Sequence, residues 1–344
     1  MSKKTKNKWL KYFTNIGLKD EVVEEHLKYI GPLLDKGLPV IFDFNHLCKL
    51  LGRQEDYLAS AINASAHHYR KYKIPKRRGG YRSICAPYPA LLECQQWINK
   101  NILEVVSLHS AAHGFCKSRS ILTNASEHLG KHSLLKIDLK DFFPSIEKPR
   151  IINVFRNLGY NRKVSFYLAA LCCLDDCLPQ GAASSPALSN IVSFGLDVRL
   201  SALAKSFDYT YSRYADDLTF SGNQIPFKFS EYVEEIVKSF GFEVNPDKTI
   251  LKQGGGKKIV TGISVTNETP KLPRSYKRKL RQELFFIEKF GISSHIEKSK
   301  IKDPFYLDVI LGRLSFWNFV EPENPDANKY IAHIKNLISA KSPD

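Results

Sequence analysis

Two adjacent carboxylates, Asp216 and Asp217, are the residues of this sequence best suited to catalysis. They lie between two runs of β-favouring residues, 209–213 and 218–222, a pattern that predicts a β-hairpin. Neighbouring carboxylates repel each other, so this pair is unfavourable within a hairpin unless a cation binds there. Two divalent ions held by oxygen ligands can stabilise both sides of a phosphoryl transfer. A solvated hairpin tip would contain the same pair, and the rest of the sequence has to decide between the two.

A third carboxylate, Asp138, lies in a second apolar run at residues 134–139, which predicts a buried strand. An acid at the end of such a strand is costly unless it is paired or bound to a metal. We therefore expect Asp138 and Asp216 to hold two Mg²⁺ ions, for which Mn²⁺ is a possible substitute. The backbone carbonyl near Leu139 would be a further ligand.

Small residues fill the segment LPQGAASSP at 178–186, just before a predicted helix. Such residues let a loop backbone approach a ligand closely. An ordinary loop-to-helix junction capped by Ser would have the same composition, so this segment alone is ambiguous.

The charge of the chain favours a polyanionic partner. Lys and Arg number 51 against 35 Asp and Glu, a net charge of +16. The excess is clustered, because no acid occurs between Asp56 and Glu93 or between Glu268 and Glu283, and both stretches are rich in Lys and Arg. Two separate basic zones predict a long nucleic-acid track, since neutralised phosphates release counterions.

The seven cysteines are odd in number and irregularly spaced, so we expect buried free thiols in a reducing compartment. The Lys-rich start has no apolar core after it, and no apolar run is long enough to span a bilayer. We therefore expect a cytoplasmic protein without membrane contact.

Periodicity predicts an α+β chain with helical regions at both ends. Residues 1–70 are expected to be helical. The elements expected after them are strands at 82–86 and 134–139, a hairpin at 209–222, a β-pair at 258–265, helices at 90–108, 186–205 and 229–240, and helices from 273 onward.

These motifs together resemble those of reverse transcriptases. IDLKDFFPSI (137–146), LPQGAASSP, YADD (214–217) and GFEVNPDKT (241–249) occur in the order typical of that family, and the resemblance covers residues 65–270. It implies a right-hand polymerase fold with fingers, palm and thumb. The domains would be a helical N-terminal extension (1–65), fingers and palm (66–268) and a helical RNA-binding thumb (269–344). Asp138, Asp216 and Asp217 would be the catalytic residues.

The resemblance also implies roles in binding a deoxynucleoside triphosphate (dNTP). Phe143 falls at the position of the family's steric gate, which excludes a 2′-OH, although it could equally be a core aromatic. Lys248 would help the pyrophosphate leave, or it could be an ordinary surface charge. The full set of implied nucleotide-binding residues is Lys76, Arg77, Arg82, Phe143, Gln180, Gly181 and Lys248.

Two further segments resemble elements of bacterial retron reverse transcriptases. These are residues 124–128, which match Asn-Ala-x-x-His, and residues 260–262, which match Val-Thr-Gly. A helix cap and an ordinary strand turn are the alternative readings. With the basic start of the thumb, the implied RNA-binding residues are Asn124, His128, Val260, Thr261, Gly262, Arg274, Lys277, Arg278 and Arg281.

A retron enzyme would copy part of a cognate structured noncoding RNA into DNA that stays linked to that RNA, starting from an RNA 2′-OH. The implied partners are this RNA, its single-stranded DNA product, dNTPs, a host RNase H that degrades the template, and a separate effector protein in anti-phage defence. Three alternatives stay open: another bacterial reverse transcriptase of the group II intron-like or abortive-infection kind, a catalytically silent RNA-binding scaffold, and an untemplated nucleotide transferase.

Overall fold

The computed structural model describes residues 3–76 and 79–339. The chain begins with four helices, as expected: α1 (Lys3–Asn15), α2 (Asp20–Asp35), α3 (Phe44–Leu51) and α4 (Glu55–Asn63). Capping residues define both ends of helix α3. At its start, the Asp43 side chain accepts a hydrogen bond from the His46 N–H. Gly52, with φ of 62°, ends the same helix in the left-handed conformation that favours glycine.

A basic hairpin follows, formed by β1 (Tyr69–Pro75) and β2 (Tyr81–Pro87) in antiparallel register. Most of its side chains are exposed. Helix α5 (Pro89–Ile98) continues into a π-helical turn (Asn99–Leu103), so the helix expected at 90–108 ends early. The short helix α6 (Ile121–Ser126) starts with a capping box between Ser120 and Thr123.

The central sheet contains β3 (Ser133–Leu139), β4 (Thr210–Tyr214), β5 (Asp217–Gly222) and β6 (Val244–Lys252), in the order β4-β5-β3-β6 with antiparallel neighbours. The first three strands were expected, and β6 was not. Pro246 argues against a strand in the sequence, but β6 lies at the edge of the sheet, where proline is tolerated.

Helices cover one face of this sheet: α7 (Lys148–Leu158), α8 (Arg162–Cys172), α9 (Ser185–Val192), α10 (Phe194–Ser206) and α11 (Lys228–Ser239). The single helix expected at 186–205 is two helices, which meet at Ser193. Among the described residues, no single helix is long and apolar enough to cross a membrane, and only the bent pair α9 and α10 passes that test jointly.

The C-terminal region starts with a small hairpin, β7 (Ile259–Val260) and β8 (Ile263–Ser264). Its helices are α12 (Arg274–Phe290), α13 (Ile292–Lys298), α14 (Tyr306–Val320) and α15 (Pro325–Ser339). Val260 and Ile263 share a core with Leu280 and Trp317, and this core also includes Ala125 of α6. The small hairpin therefore packs with the C-terminal helices, although it precedes the predicted domain limit at residue 268.

All seven cysteines lie within the described ranges and are free thiols, as expected. Four of them are buried. Burial raises the pKa of the Cys172 thiol to about 12, so this thiol is protonated and unreactive at neutral pH.

Candidate active site

The turn between β4 and β5 carries the carboxylate pair. Tyr214 pairs with Asp217, which leaves a two-residue turn of Ala215 and Asp216. Ala215 has φ of 56°, a region that costs free energy for a residue with a Cβ. Two hydrogen bonds hold this conformation, since Arg213 Nη1 donates to the Ala215 carbonyl (3.2 Å) and the Leu139 N–H donates to the Asp216 carbonyl (2.9 Å).

The three carboxylates predicted to be catalytic lie together at one end of the sheet. Asp138 is directly opposite Asp217 in the β3–β5 ladder, so the two side chains share a face. Burial, followed by the charges of Asp138 and Asp217, raises the pKa of Asp216 to about 6. Burial also raises the pKa of Asp217, and Lys136 opposes that rise. The cluster therefore holds more negative charge than its surroundings favour.

Two lysine side chains partly neutralise the negative charge of this cluster. Lys248 Nζ lies 2.7 Å from Asp138 Oδ2, and Lys136 Nζ lies 3.7 Å from Asp217 Oδ2. Within residues 3–76 and 79–339, no group of three or more His, Cys, Asp or Glu side chains has the arrangement of a metal cage. The residues nevertheless fit Mg²⁺ or Mn²⁺, because both ions prefer oxygen ligands and the three carboxylates carry more negative charge than the two lysines neutralise. The Lys248 ammonium group already binds one oxygen of Asp138.

The Gln180–Gly181 loop contacts the basic hairpin. The Cys85 N–H donates to the Gln180 carbonyl at 2.8 Å. A Cβ on Gly181 would lie 2.9 Å from the Cys85 carbonyl oxygen, and φ at this residue is 123°. Only glycine satisfies both conditions without strain. The structure thus brings this loop to β2, the strand that also carries Arg82.

The other implied nucleotide-binding residues occupy different environments. Arg82 and Lys76 are exposed on the basic hairpin, and Arg77 lies outside the described residues. Phe143 is half-buried, with its ring centroid 5.5 Å from that of Phe142 and 6.2 Å from that of Phe115. A half-buried ring that packs against the core is compatible with both readings of Phe143.

One supporting segment was not identified from the sequence. Residues 111–113 run beside β4, where the Arg213 N–H donates to the Ala111 carbonyl (2.7 Å) and the His113 N–H donates to the Arg213 carbonyl (2.8 Å). A Cβ on the next residue, Gly114, would lie 2.7 Å from the Ala215 nitrogen. Glycine is therefore required where this segment passes the turn at Ala215 and Asp216. The sequence held no signal for this, because the contact joins segments about a hundred residues apart.

A buried ion pair supports the hairpin from its core face. Arg213 donates to both carboxylate oxygens of Asp197, at 2.8 and 2.6 Å, and both side chains are fully buried. Tyr211 and Asn190 complete the network, since the Tyr211 hydroxyl donates to Asp197 (2.9 Å) and Asn190 Oδ1 accepts from Arg213 (3.0 Å). The sequence indicated only that an arginine lies within an apolar strand. It could not identify Asp197 as the partner, because Asp197 lies on α10.

Comparison with known proteins decides the family. The family described as reverse transcriptase (RNA-dependent DNA polymerase) matches residues 74–266. The retron Ec86 reverse transcriptase of Escherichia coli is 35% identical over 77% of this chain and 84% of that protein. The retron Mx162 reverse transcriptase of Myxococcus xanthus is 38% identical over 81% of this chain and 62% of that protein. The chain belongs to the retron reverse transcriptases. The expected α+β reverse transcriptase fold and RNA-directed DNA polymerase activity are confirmed.

The two retron-like elements of this retron reverse transcriptase meet in space. Thr261 and Gly262 form the turn of β7–β8 with φ of 46° and 87°, as a type I′ turn requires. Positive φ is unusual for a β-branched residue, and here the Thr261 hydroxyl is held by its bond to the Ile121 carbonyl of α6 (2.8 Å). Val260 is fully buried, which corrects its expected role as an RNA ligand. Thr261 is half-buried and Gly262 is exposed.

The structure corrects the role expected for Asn124 and His128. Both side chains are 0% exposed, so neither presents an atom to RNA in this conformation. They form hydrogen bonds instead with Ser212 and Ser221 of the β4–β5 hairpin. Residue type and spacing in segment 124–128 could not reveal this, because burial depends on which elements pack over the segment.

The basic residues at the start of α12 divide into two groups. Lys277 is paired with Glu321 at 2.9 and 3.0 Å and has a side chain only 15% exposed, which corrects its expected role as an RNA ligand. Arg281 donates to Asp326 at 2.6 Å on the surface. Arg274 and Arg278 are exposed. Arg274 borders two clefts, one also lined by Lys257 and Lys271 and the other by Arg278 and Arg281, and Lys277 lies at the edge of both.

Proposed function

We propose that this retron reverse transcriptase copies part of a cognate structured RNA into DNA, with Asp138, Asp216 and Asp217 as its catalytic residues. The observation that supports this assignment is that three carboxylates lie together at one end of the sheet. Their negative charge is only partly neutralised, as the raised pKa of Asp216 indicates. The priming group would be a 2′-OH of the RNA, so the product would be single-stranded DNA joined to RNA.

Each residue around the triad would make a distinct contribution. Asp138 and Asp216 would hold Mg²⁺, supported by Asp217 and the carbonyl near Leu139. Bound Mg²⁺ would lower the pKa of the priming hydroxyl and neutralise the triphosphate. Lys248, now 2.7 Å from Asp138, is close enough to the triad to meet charge that develops on the leaving pyrophosphate.

The remaining nucleotide contacts would come from the basic hairpin and the loop that touches it. Arg82, with Lys76 or Arg77, would bind the triphosphate. Gln180 and Gly181 would line the nucleotide pocket, since their backbone already adjoins β2. Phe143 would exclude a ribose 2′-OH.

RNA would bind along the exposed basic face at the start of α12. Arg274 borders one cleft with Lys257 and Lys271 and a second cleft with Arg278, a grouping of cations suited to phosphates along an A-form stem. Arg281 and Gly262 would lie at the margins of this surface. We also propose that a host RNase H removes the copied template and that a separate effector protein acts with the product in anti-phage defence.

The test is to express the native locus and analyse the nucleic acid that copurifies with the protein. Asp216→Asn keeps the shape of the side chain and removes its charge, and Asp247→Asn is the matched control at an exposed carboxylate on β6. We expect debranching-sensitive single-stranded DNA with the wild type and the control, and RNA alone with Asp216→Asn. DNA made by Asp216→Asn would refute the catalytic assignment. RNA alone with every protein would favour a silent scaffold.

A further inference from the structure

Four buried polar side chains form a hydrogen-bonded chain against the catalytic hairpin. Asn124, His128, Ser212 and Ser221 each have an exposed fraction of 0%. His128 Nδ1 lies 2.7 Å from Ser221 Oγ, and its Nε2 lies 2.7 Å from Ser212 Oγ. Ser212 Oγ in turn donates to Asn124 Oδ1 at 2.7 Å. A single imidazole therefore links β4 to β5 across the hairpin.

The direction of every bond in this chain can be assigned. Burial lowers the pKa of His128 to about 3, so the ring is neutral near physiological pH and has one donor and one acceptor nitrogen. Ser212 gives its proton to Asn124, so Nε2 must donate to Ser212 and Nδ1 must accept from Ser221. With Asn124 Oδ1 as the acceptor, one tautomer satisfies all three bonds, so the imidazole is held between the two serines.

The chain of bonds lies on the sheet face that carries the triad. Ser212 is opposite Thr219 and Ser221 is opposite Thr210, while Asp138 is opposite Asp217. Opposite residues share a face, and so do residues two apart along a strand. His128 therefore packs on the same face as Asp138 and Asp217, farther from the turn.

Arg213 supports the hairpin from the other face, where it bonds to Asp197 and to the Ala215 carbonyl. We propose that His128 is a positioning residue for the catalytic turn, acting through Ser212 and Ser221 to set the relative position of the two strands that carry Asp216 and Asp217. The inference rests on the proposed function only in taking these two acids as catalytic.

Substitution of His128 should have different effects if it positions the turn than if it binds RNA. A positioning residue should affect the chemical step on any template, and an RNA ligand should affect only retention of the cognate RNA. The full-length protein can therefore be assayed on poly(rA)·oligo(dT), which lacks the cognate structure, and separately for the RNA that it retains on purification.

The experiment compares His128→Leu, which removes both bonds, with His128→Gln, whose amide can replace the bond from Nε2 to Ser212. We expect His128→Leu to lower kcat by about tenfold or more, and to raise the Mg²⁺ concentration for half-maximal rate, because displaced catalytic groups slow the chemical step. The KM for primer–template and the RNA retained should stay unchanged, and His128→Gln should restore part of kcat. His67→Leu is the control at an exposed histidine.

Ser212→Ala is the second variant and removes only a hydroxyl, so it keeps the test decisive if His128→Leu does not fold. It should lower kcat in the same sense, and its effect should not add to that of His128→Leu, because both break one chain of bonds. Normal kcat in either folded variant, with or without loss of RNA, would overturn the proposal. Asp216→Asn is measured in parallel, since activity in that variant would instead refute the catalytic assignment.

Discussion

At the scale of single residues, the environment of Asp216 favours the binding of a cation. Its carboxylate is partly buried beside Asp138 and Asp217, and its pKa of about 6 means that ionisation at neutral pH opposes folding. Lys248 and Lys136 contact the two neighbouring carboxylates. Asp216 is thus the member of the triad whose charge most needs a bound ion.

Asp216→Asn should therefore stabilise the metal-free protein at about pH 7.5, by about 2 kcal/mol, after allowance for partial solvent screening. The folded-state pKa is raised, so the stability that protonation supplies is fully present below about pH 4 and is lost as the pH rises through about 6. The gain should accordingly disappear toward about pH 4. Urea unfolding in EDTA at several pH values measures it.

Asp247→Asn serves as the exposed control in the same titration and should leave the free energy of unfolding unchanged. A destabilised Asp216→Asn protein near neutral pH would show that hydrogen bonds to this carboxylate outweigh the repulsion from its neighbours.

At the scale of elements, the catalytic hairpin combines features that the sequence reveals with others that it hides. The strands at 134–139 and 209–222 follow from apolar runs that bracket acids, and both were predicted. Strand β6 was missed because Pro246 and Asp247 resemble a turn, and only its place at the sheet edge explains them. The supports of the hairpin were also hidden, since Asp197 and Gly114 become neighbours of β4 only through tertiary packing.

Gly114→Ala tests that packing. The new Cβ would lie 2.7 Å from the backbone nitrogen of Ala215, and backbone atoms cannot yield as a flexible side chain can. We expect the turn to shift, with a loss of polymerase activity of about tenfold or more, because small displacements of catalytic groups are costly. Primer-extension rates measure the loss.

Gly31→Ala is the matched control, because its Cβ would meet no atom within 4 Å and it lies inside α2. This variant should keep full activity and gain stability of up to about 1 kcal/mol from helix propensity. Normal activity in Gly114→Ala would show that the turn adapts to the added methyl group.

At the scale of the whole molecule, the central sheet and the C-terminal helices are joined through α6. Thr261 of the small hairpin bonds to Ile121 at one end of this helix, and Asn124 bonds to β4 near the other. Leu134 of β3 also belongs to the core of the C-terminal helices. The catalytic region and the RNA-binding region that we propose therefore share packed residues, and a domain limit drawn from the sequence alone could not show this.

Some basic side chains near the start of α12 pair with carboxylates of the protein, and others are exposed. The salt dependence of RNA binding can distinguish the two groups. Each phosphate contact contributes about one unit to the slope of log Kd against log salt concentration. Arg278 is exposed on the proposed RNA surface, so Arg278→Gln should reduce that slope by about one unit and leave stability unchanged.

Lys277→Gln, one residue earlier on the same helix, should do the reverse. Its ammonium group is held by Glu321, whose side chain is only 10% exposed, so the substitution leaves a nearly buried carboxylate without its cation. We expect lower thermal stability with an unchanged slope, because Glu321 already neutralises this charge. Filter binding of the cognate RNA between about 50 and 200 mM KCl, together with melting curves, separates the two variants. Equal slopes for wild type and Arg278→Gln would place the RNA on another face of the molecule.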